Sequence, residues 1–266
     1  MQVVIVDSPA EVGRVAAAKI TQVIRRRNDA VLGLATGSSP LAIYAELARQ
    51  VRQDGLDCSA VRAFALDEYV GLPAGHPESY RSVIQREVVA RLALTPAFVH
   101  VPDGTASDVA AACADYEQRI AEIGPVDIQI LGIGANGHIG FNEPTSSFAS
   151  RTRIKTLAPT TRADNARFFD SPDEVPTHCL TQGLGTILDA KRLVLVAQGE
   201  KKADAVAKMV EGPVSSMCPG SALQLHADAT IVIDQAAASR LALIDYYRYT
   251  YDNLPEWQRF YTDGAY

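Results

Sequence analysis

Cysteine is scarce in this chain, and what there is stands apart. Cys58, Cys113, Cys179 and Cys218 are the 4 cysteines among 266 residues, and no two form a Cys-x-x-Cys pair. Such spacing excludes a disulfide frame or a thiolate zinc site as the organising device and suits reduced thiols in a cytoplasmic protein. Positive charge is also short: 25 Lys and Arg stand against 31 Asp and Glu, a net charge of −6. An acidic chain is a poor general ligand for nucleic acid and gives no reason to expect membrane attachment, so an anionic substrate would need a locally basic pocket. No apolar run reaches the length of a membrane span. The opening Met1-Gln2-Val3-Val4-Ile5-Val6-Asp7 has neither the basic start nor the long apolar core of a signal peptide. Internal repeats and low-complexity tracts are missing as well.

What is present is the composition of a globular protein, with 47% hydrophobic and 21% charged residues. The length suffices for one large α/β domain with a sizeable core. Short apolar runs predict strands at Val3–Val6, Ala30–Ala35, Arg62–Leu66, Phe98–Val101, Asp127–Leu131, Leu193–Ala197 and Thr230–Ile233. Between them, apolar spacing near 3.6 predicts helices from the cap at Ser8 to about Arg27, and over Pro40–Arg52, Pro77–Leu92, Ala106–Ile123, Lys201–Glu211 and Ala236–Tyr247. Strands alternating with helices imply an open, mostly parallel sheet covered on both faces, a Rossmann-like α/β fold. From about Glu143 to Pro176 no clear periodicity is visible, the mark of a lid or binding loop.

The densest chemistry lies in Leu131-Gly132-Ile133-Gly134-Ala135-Asn136-Gly137-His138-Ile139-Gly140-Phe141-Asn142-Glu143-Pro144. A glycine-rich turn after a buried strand is where open α/β sheets bind ligands, and histidine is the side chain most easily used as acid or base near neutral pH. His138 directly after the third glycine, with Pro144 soon following, makes it a poor dinucleotide fingerprint; a tight turn with an incidental histidine is the plainer alternative. Three further groups sit at strand ends. Thr36-Gly37-Ser38-Ser39-Pro40 is either a phosphate-binding turn or a serine helix cap, and it has no Walker lysine. Asp67 and Glu68 are either a solvated strand end or a presented general base. Gly199-Glu200-Lys201-Lys202 places cations in a first helical turn, which suits a facing anion, or is an exposed lysine pair. Arg151, Arg153, Lys155, Arg162 and Arg167 make residues 151–167 basic within an acidic chain.

Together these stretches resemble glucosamine-6-phosphate deaminases, also called glucosamine-6-phosphate isomerases. The resemblance rests on Thr36 to Pro40, on Leu66-Asp67-Glu68-Tyr69-Val70-Gly71-Leu72-Pro73, on Gly137 to Pro144 and on Ser150-Arg151-Thr152-Arg153, in that order, and extends to about Asp234. It implies a single domain over residues 1–266 with a lid at about 144–178. It also implies a cytoplasmic hydrolase and aldose–ketose isomerase that turns glucosamine 6-phosphate into fructose 6-phosphate and ammonia, without metal or cofactor. His138 would open the sugar ring, with Glu143 and Asn136 orienting it; Asp67 would carry the proton from C2 to C1. Position 136 is aspartate in some members, and the uncharged Asn136 is expected to hydrogen-bond the imidazole while Glu143 supplies the charge. Thr36, Gly37, Ser38, Ser39, Arg167 and Lys202 would hold the substrate phosphate. Ser146, Arg153, Lys155 and Thr156 match a second phosphate site, which in regulated members binds N-acetylglucosamine 6-phosphate between subunits of a homohexamer; Arg248 stands where those members carry a tyrosine. Two alternatives are a phosphogluconolactonase-like enzyme, which needs no carboxylate at Asp67, and a sugar-phosphate-sensing domain of a transcription regulator. The second would need a DNA-binding module, and no basic helix-turn-helix precedes Val31.

Overall fold

The computed structural model describes residues 1–260. Its strands are β1 (Gln2–Val6), β2 (Val31–Leu34), β3 (Arg62–Ala65), β4 (Asp67–Tyr69), β5 (Val99–His100), β6 (Ile128–Leu131), β7 (Arg153–Thr156), β8 (His178–Thr181), β9 (Leu193–Ala197) and β10 (Ala229–Asp234). The helices are α1 (Pro9–Arg26), α2 (Leu41–Gln53), α3 (Tyr80–Ile84), α4 (Ala90–Leu92), α5 (Val109–Ile123), α6 (Pro159–Asn165), α7 (Leu184–Leu188), α8 (Ala203–Val210), α9 (Gln235–Ala238) and α10 (Ile244–Asp252). A π-helical turn, Gln85–Val89, joins α3 to α4. Among the described residues no helix is long and apolar enough to cross a membrane.

Seven strands pair in parallel in the order β1-β10-β9-β6-β2-β3-β5. The middle strands are buried along their whole length, as in Leu193-Val194-Leu195-Val196-Ala197. Burial on both faces requires the continuous apolar runs seen in the sequence, because helices cover each side of a parallel sheet. The chain enters at one edge with β1, moves to the centre with β2, steps outward through β3 and β5, and returns to the other side of β2 with β6. The order of strands therefore reverses between β2 and β6, and the loops leaving these two strands diverge there. A crevice at such a switch point is the general ligand site of open α/β sheets.

The segment lacking periodicity holds regular structure after all. β4, β8 and β7 form a second, antiparallel sheet, with Asp67 opposite Thr181 and Ile154 opposite Leu180, and α6 lies in the connection from β7 to β8. The expectation of one irregular stretch from 143 to 176 is corrected by these elements. Arg153-Ile154-Lys155-Thr156 carries one apolar side chain, and each of these strands is four residues or shorter, too short for a pattern to emerge.

Two helix expectations also change. Pro77–Leu92 starts later, at Tyr80, because Ser79 caps α3 and the Glu68 carboxylate accepts the N–H groups of Tyr80 and Arg81 at 2.8 and 2.9 Å. Ala236–Tyr247 is two helices, α9 and α10. The Glu211 carboxylate takes the N–H groups of Ala242 and Leu243 at 2.8 and 2.9 Å, which satisfies the start of α10 from outside and separates it from α9.

Candidate active site

A cleft of about 370 Å³ opens at the switch point, lined by the loops that follow β2, β3, β6 and β9 and by α6. The turn after β2 brings Thr36, Gly37, Ser38 and Ser39 to it, and Gly37 takes φ +87°, a left-handed conformation that glycine adopts without strain. The serine-cap alternative for this turn fails: α2 is preceded by Pro40 and has no side-chain cap, so the serine hydroxyls face the cleft instead. Arg167 reaches across from the residues after α6, its Nη2 donating to Ser38 Oγ at 3.3 Å. Lys202 lines the same end. Burial lowers its ammonium from the ordinary value; nearby Asp164 opposes that, and Arg167 adds to it. Two cations, Arg167 and Lys202, and three hydroxyl side chains, Thr36, Ser38 and Ser39, gather there, groups of the kind that bind phosphate together with backbone N–H groups.

Asp67 is the first residue of β4, set off from β3 by Leu66 alone, and is 5% exposed. Burial, and after it the neighbouring Glu68, pushes its carboxyl up to about 8. A carboxylate poised near working pH is what a general base requires. Glu68 has a different task, since Tyr69, Tyr80 and Arg81 all donate backbone N–H groups to it; it positions the turn between β4 and α3. That turn brings Tyr80 to the cleft wall.

The loop after β6 presents His138. Gly134 is required there: a Cβ at that position would lie 2.2 Å from His138 Cε1. Behind the imidazole, Glu143 Oε2 stands 3.6 Å from Nδ1, beyond a direct hydrogen bond, and Nδ1 is buried with no hydrogen-bond partner. Asn136 Nδ2 donates to Glu143 Oε2 at 2.6 Å, and Asn136 Oδ1 accepts from the His138 backbone N–H at 3.2 Å. The expectation that Asn136 bonds the imidazole is corrected: it fixes the backbone of His138 and the carboxylate behind it. Glu143 Oε1 accepts from the Thr161 hydroxyl at 2.6 Å and from the Ala158 N–H at 3.3 Å. Burial alone would raise this carboxyl; His138, Thr161 and Asn136 outweigh it and hold the group down to about 2.

The catalytic and phosphate candidates thus meet at one crevice, with Asn136 and Glu143 one layer behind His138. The candidates for a second phosphate site do not meet there. Ser146 is buried and donates to the Glu143 carbonyl at 2.7 Å. Arg153 and Lys155 share one face of β7, and Thr156 lies on the other, exposed. Of the remaining basic residues, Arg151 pairs with Glu117 and Asp189, and Arg162 donates to the Val175 carbonyl. Arg248 donates to Gln235 at 2.6 Å. Sequence reasoning missed Thr161, Asp164, Asn165 and Gln198, all on the cleft wall. Thr161, Asp164 and Asn165 lie on α6, whose seven residues are too few for a pattern to emerge, and Gln198 directly follows β9 with no spacing rule to mark it. A larger hollow of about 510 Å³ beside Arg81 and Tyr116 contains none of the glycine-rich turns.

Residues 7–232 match the family described as glucosamine-6-phosphate isomerases/6-phosphogluconolactonase. The glucosamine-6-phosphate deaminase of Pseudarthrobacter chlorophenolicus is 59% identical over 258 residues, which cover 97% of this chain and 99% of that protein. The protein of the same name from Streptomyces coelicolor is 57% identical over 259 residues, with 97% and 99% covered. A solved monomeric glucosamine-6-phosphate deaminase superposes with a TM-score of 0.89 at 43% identity, over 90% of this chain and 100% of that one. The 6-phosphogluconolactonase of Trypanosoma cruzi shares the fold alone, with a TM-score of 0.70 at 21% identity over 91% of this chain and 97% of that one. Sequence, fold and cleft agree: the chain belongs to the glucosamine-6-phosphate isomerase/6-phosphogluconolactonase family.

Proposed function

We propose that this enzyme is a glucosamine-6-phosphate deaminase, in which Asp67 and His138 divide the proton transfers. The substrate phosphate docks on Thr36 to Ser39 with Arg167 and Lys202. His138, backed by Glu143, moves a proton from the anomeric hydroxyl to the ring oxygen and opens the ring. Asp67 takes the proton from C2 of the open aldehyde while the substrate ammonium gives up a proton and O1 gains one, forming an enolamine; Asp67 then returns its proton to C1, leaving an iminium at C2. Water adds to that carbon, ammonia departs, and fructose 6-phosphate remains. Only acid–base groups act in these steps. The observation that carries the reading is Asp67: a buried carboxyl raised to about 8 on the wall of a cleft that also holds a phosphate-type turn. A lactonase has no proton to shuttle between neighbouring carbons and no use for it.

The test is ammonia release from glucosamine 6-phosphate, with fructose 6-phosphate measured in parallel. Equal amounts are expected, and Asp67→Asn is expected to lower turnover by at least about a thousandfold, as loss of a group acting in the transition state does. Release of ammonia by that variant at wild-type rate would remove Asp67 from the mechanism.

The finer parts of the proposal concern the whole chain. One domain carries the activity, with residues 144–178 as its lid, because Thr161, Asn165 and Arg167 reach the cleft from that segment. A substrate carrying a phosphate does not leave the cytoplasm, so the enzyme works there. N-acetylglucosamine 6-phosphate activates it at Ser146, Arg153, Lys155 and Thr156 in a homohexamer. Ser146 supports this regulation by touching the carbonyl of Glu143, which places that residue one bond from the catalytic loop.

A further inference from the structure

We propose that Thr161 is a positioning residue for ring opening, which aims the Glu143 carboxylate at His138 only while α6 is seated over the cleft; this rests on the deaminase reading. An ionised carboxylate that is 6% exposed needs donors on every side. Glu143 has two sets. On Oε2 the donor is Asn136, from the same loop as His138. On Oε1 the donors are Thr161 Oγ1 and Ala158 N–H, which lie 18 and 15 residues further along the chain at the start of α6.

The geometry gives the second set its importance. His138 Nδ1 is buried without a partner, 3.6 Å from Oε2. Closing that gap needs Oε2 to swing toward Nδ1, and Thr161 holds Oε1, the oxygen about which such a swing would turn. Thr161 is itself 4% exposed, so its hydroxyl has little water to turn to and stays on Glu143. The same short segment carries Asn165, which donates to Tyr69 Oη at 2.9 Å, and leads into Arg167, which meets Ser38. A phosphate drawn to Arg167 and the turn at Ser38 therefore seats α6, and seating α6 supplies both Oε1 donors together. Binding energy from the phosphate end is in this way delivered to the ring-opening group. The groups facing Glu143 that titrate are His138 and, from β8, Cys179.

The test compares wild type, Thr161→Val, which keeps the shape and removes the hydroxyl, and Thr161→Ser, which restores it. Saturation curves for glucosamine 6-phosphate are measured alongside the side-chain carboxyl resonance of Glu143, followed against pH by carbon NMR. Thr161→Val is expected to lower kcat about tenfold to a hundredfold, the worth of one hydrogen bond to a charged group, with KM within about twofold. Thr161→Ser should recover to within about threefold of wild type. Loss of a donor to the ionised form raises a carboxyl pKa, so the Glu143 midpoint is expected to rise from about 2 in Thr161→Val and to return in Thr161→Ser. Unchanged kcat, a rise in KM alone, or equal losses in both variants would overturn the proposal, since they describe a lid anchor or a packing defect. If wild type releases no ammonia, the deaminase reading falls; the Glu143 titration then decides alone, and an unmoved midpoint defeats the role of Thr161.

Discussion

Asp67 shows how much a single side chain costs the fold it serves. Its carboxyl is raised to about 8, whereas an unfolded aspartate titrates near 4. Between those values the folded state holds a proton that the unfolded state has released. Stability from this group is therefore complete below about pH 4, declines as pH rises toward 8 and stays low above it. Asparagine needs no proton, so the Tm of Asp67→Asn relative to wild type is expected to increase from pH 5 to pH 9 by several degrees. Thermal melts at the two pH values check this; a constant difference would mean the carboxyl is not buried as described. Position 136 is the second such case. An aspartate there would set its oxygen about where Asn136 Nδ2 now stands, 2.6 Å from Glu143 Oε2. Two carboxylates that close share a proton, and one titrates well above the usual range. Asn136→Asp should thus add a titration to the pH–rate profile that wild type lacks, with the acid limb moved upward, and superimposable profiles would rule that out. Asp67 and the Thr36–Ser39 turn were legible in the sequence because each stands at a strand end, His138 because glycines surround it, and Glu143 through the motif that the family shares. The partner of Asn136 was not, because two local acceptors, a carboxylate and a ring, lie within its reach, and only the fold decides between them.

At the scale of elements, legibility followed apolar composition, for β4 is buried throughout and still does not announce itself. β6, β9 and β10 are buried throughout, and their apolar runs announce them in the chain. β4 is Asp-Glu-Tyr, and its pairing with β8 joins residues more than a hundred positions apart, so nothing local marks it as a strand. Yet β4 is what delivers Asp67 to the cleft and Tyr69 to α6. The Tyr69 hydroxyl accepts from Asn165 at 2.9 Å and from Tyr80 at 3.3 Å, and the Tyr80 hydroxyl in turn interacts with the Thr36 side chain. The second sheet, α6 and the phosphate turn are thereby tied through one pair of rings, whose centroids are 4.8 Å apart. Tyr69→Phe keeps the ring and removes the shared acceptor, leaving Asn165 and Tyr80 without it. KM for glucosamine 6-phosphate is expected to rise about threefold to tenfold, the worth of one neutral hydrogen bond, while kcat changes less. Saturation curves measure both, and an unaltered KM would show that α6 is held by other contacts.

The proposed regulation belongs to the whole molecule, since Ser146, Arg153, Lys155 and Thr156 lie outside the cleft. Ser146 spends its hydroxyl on the Glu143 carbonyl, and Arg153 and Lys155 lie on β7, whose neighbour β8 continues into the sheet that begins with Asp67. In the proposed regulation, an effector phosphate that recruits Ser146 would remove its hydrogen bond to the Glu143 carbonyl, so its pull would be felt on the loop behind His138 without any long pathway. Coupling of this kind is a difference in effector affinity between two placements of that loop, and it is reciprocal. Saturating N-acetylglucosamine 6-phosphate is accordingly expected to move the substrate saturation curve to lower concentration by about fivefold or more, with Lys155→Ala losing the shift. Light scattering on the same samples should give the mass of an assembly. The solved relative with a TM-score of 0.89 is described as monomeric. A 28.6 kDa species whose curve does not move with the effector would leave Ser146 as a structural anchor of Glu143 and would end the case for activation.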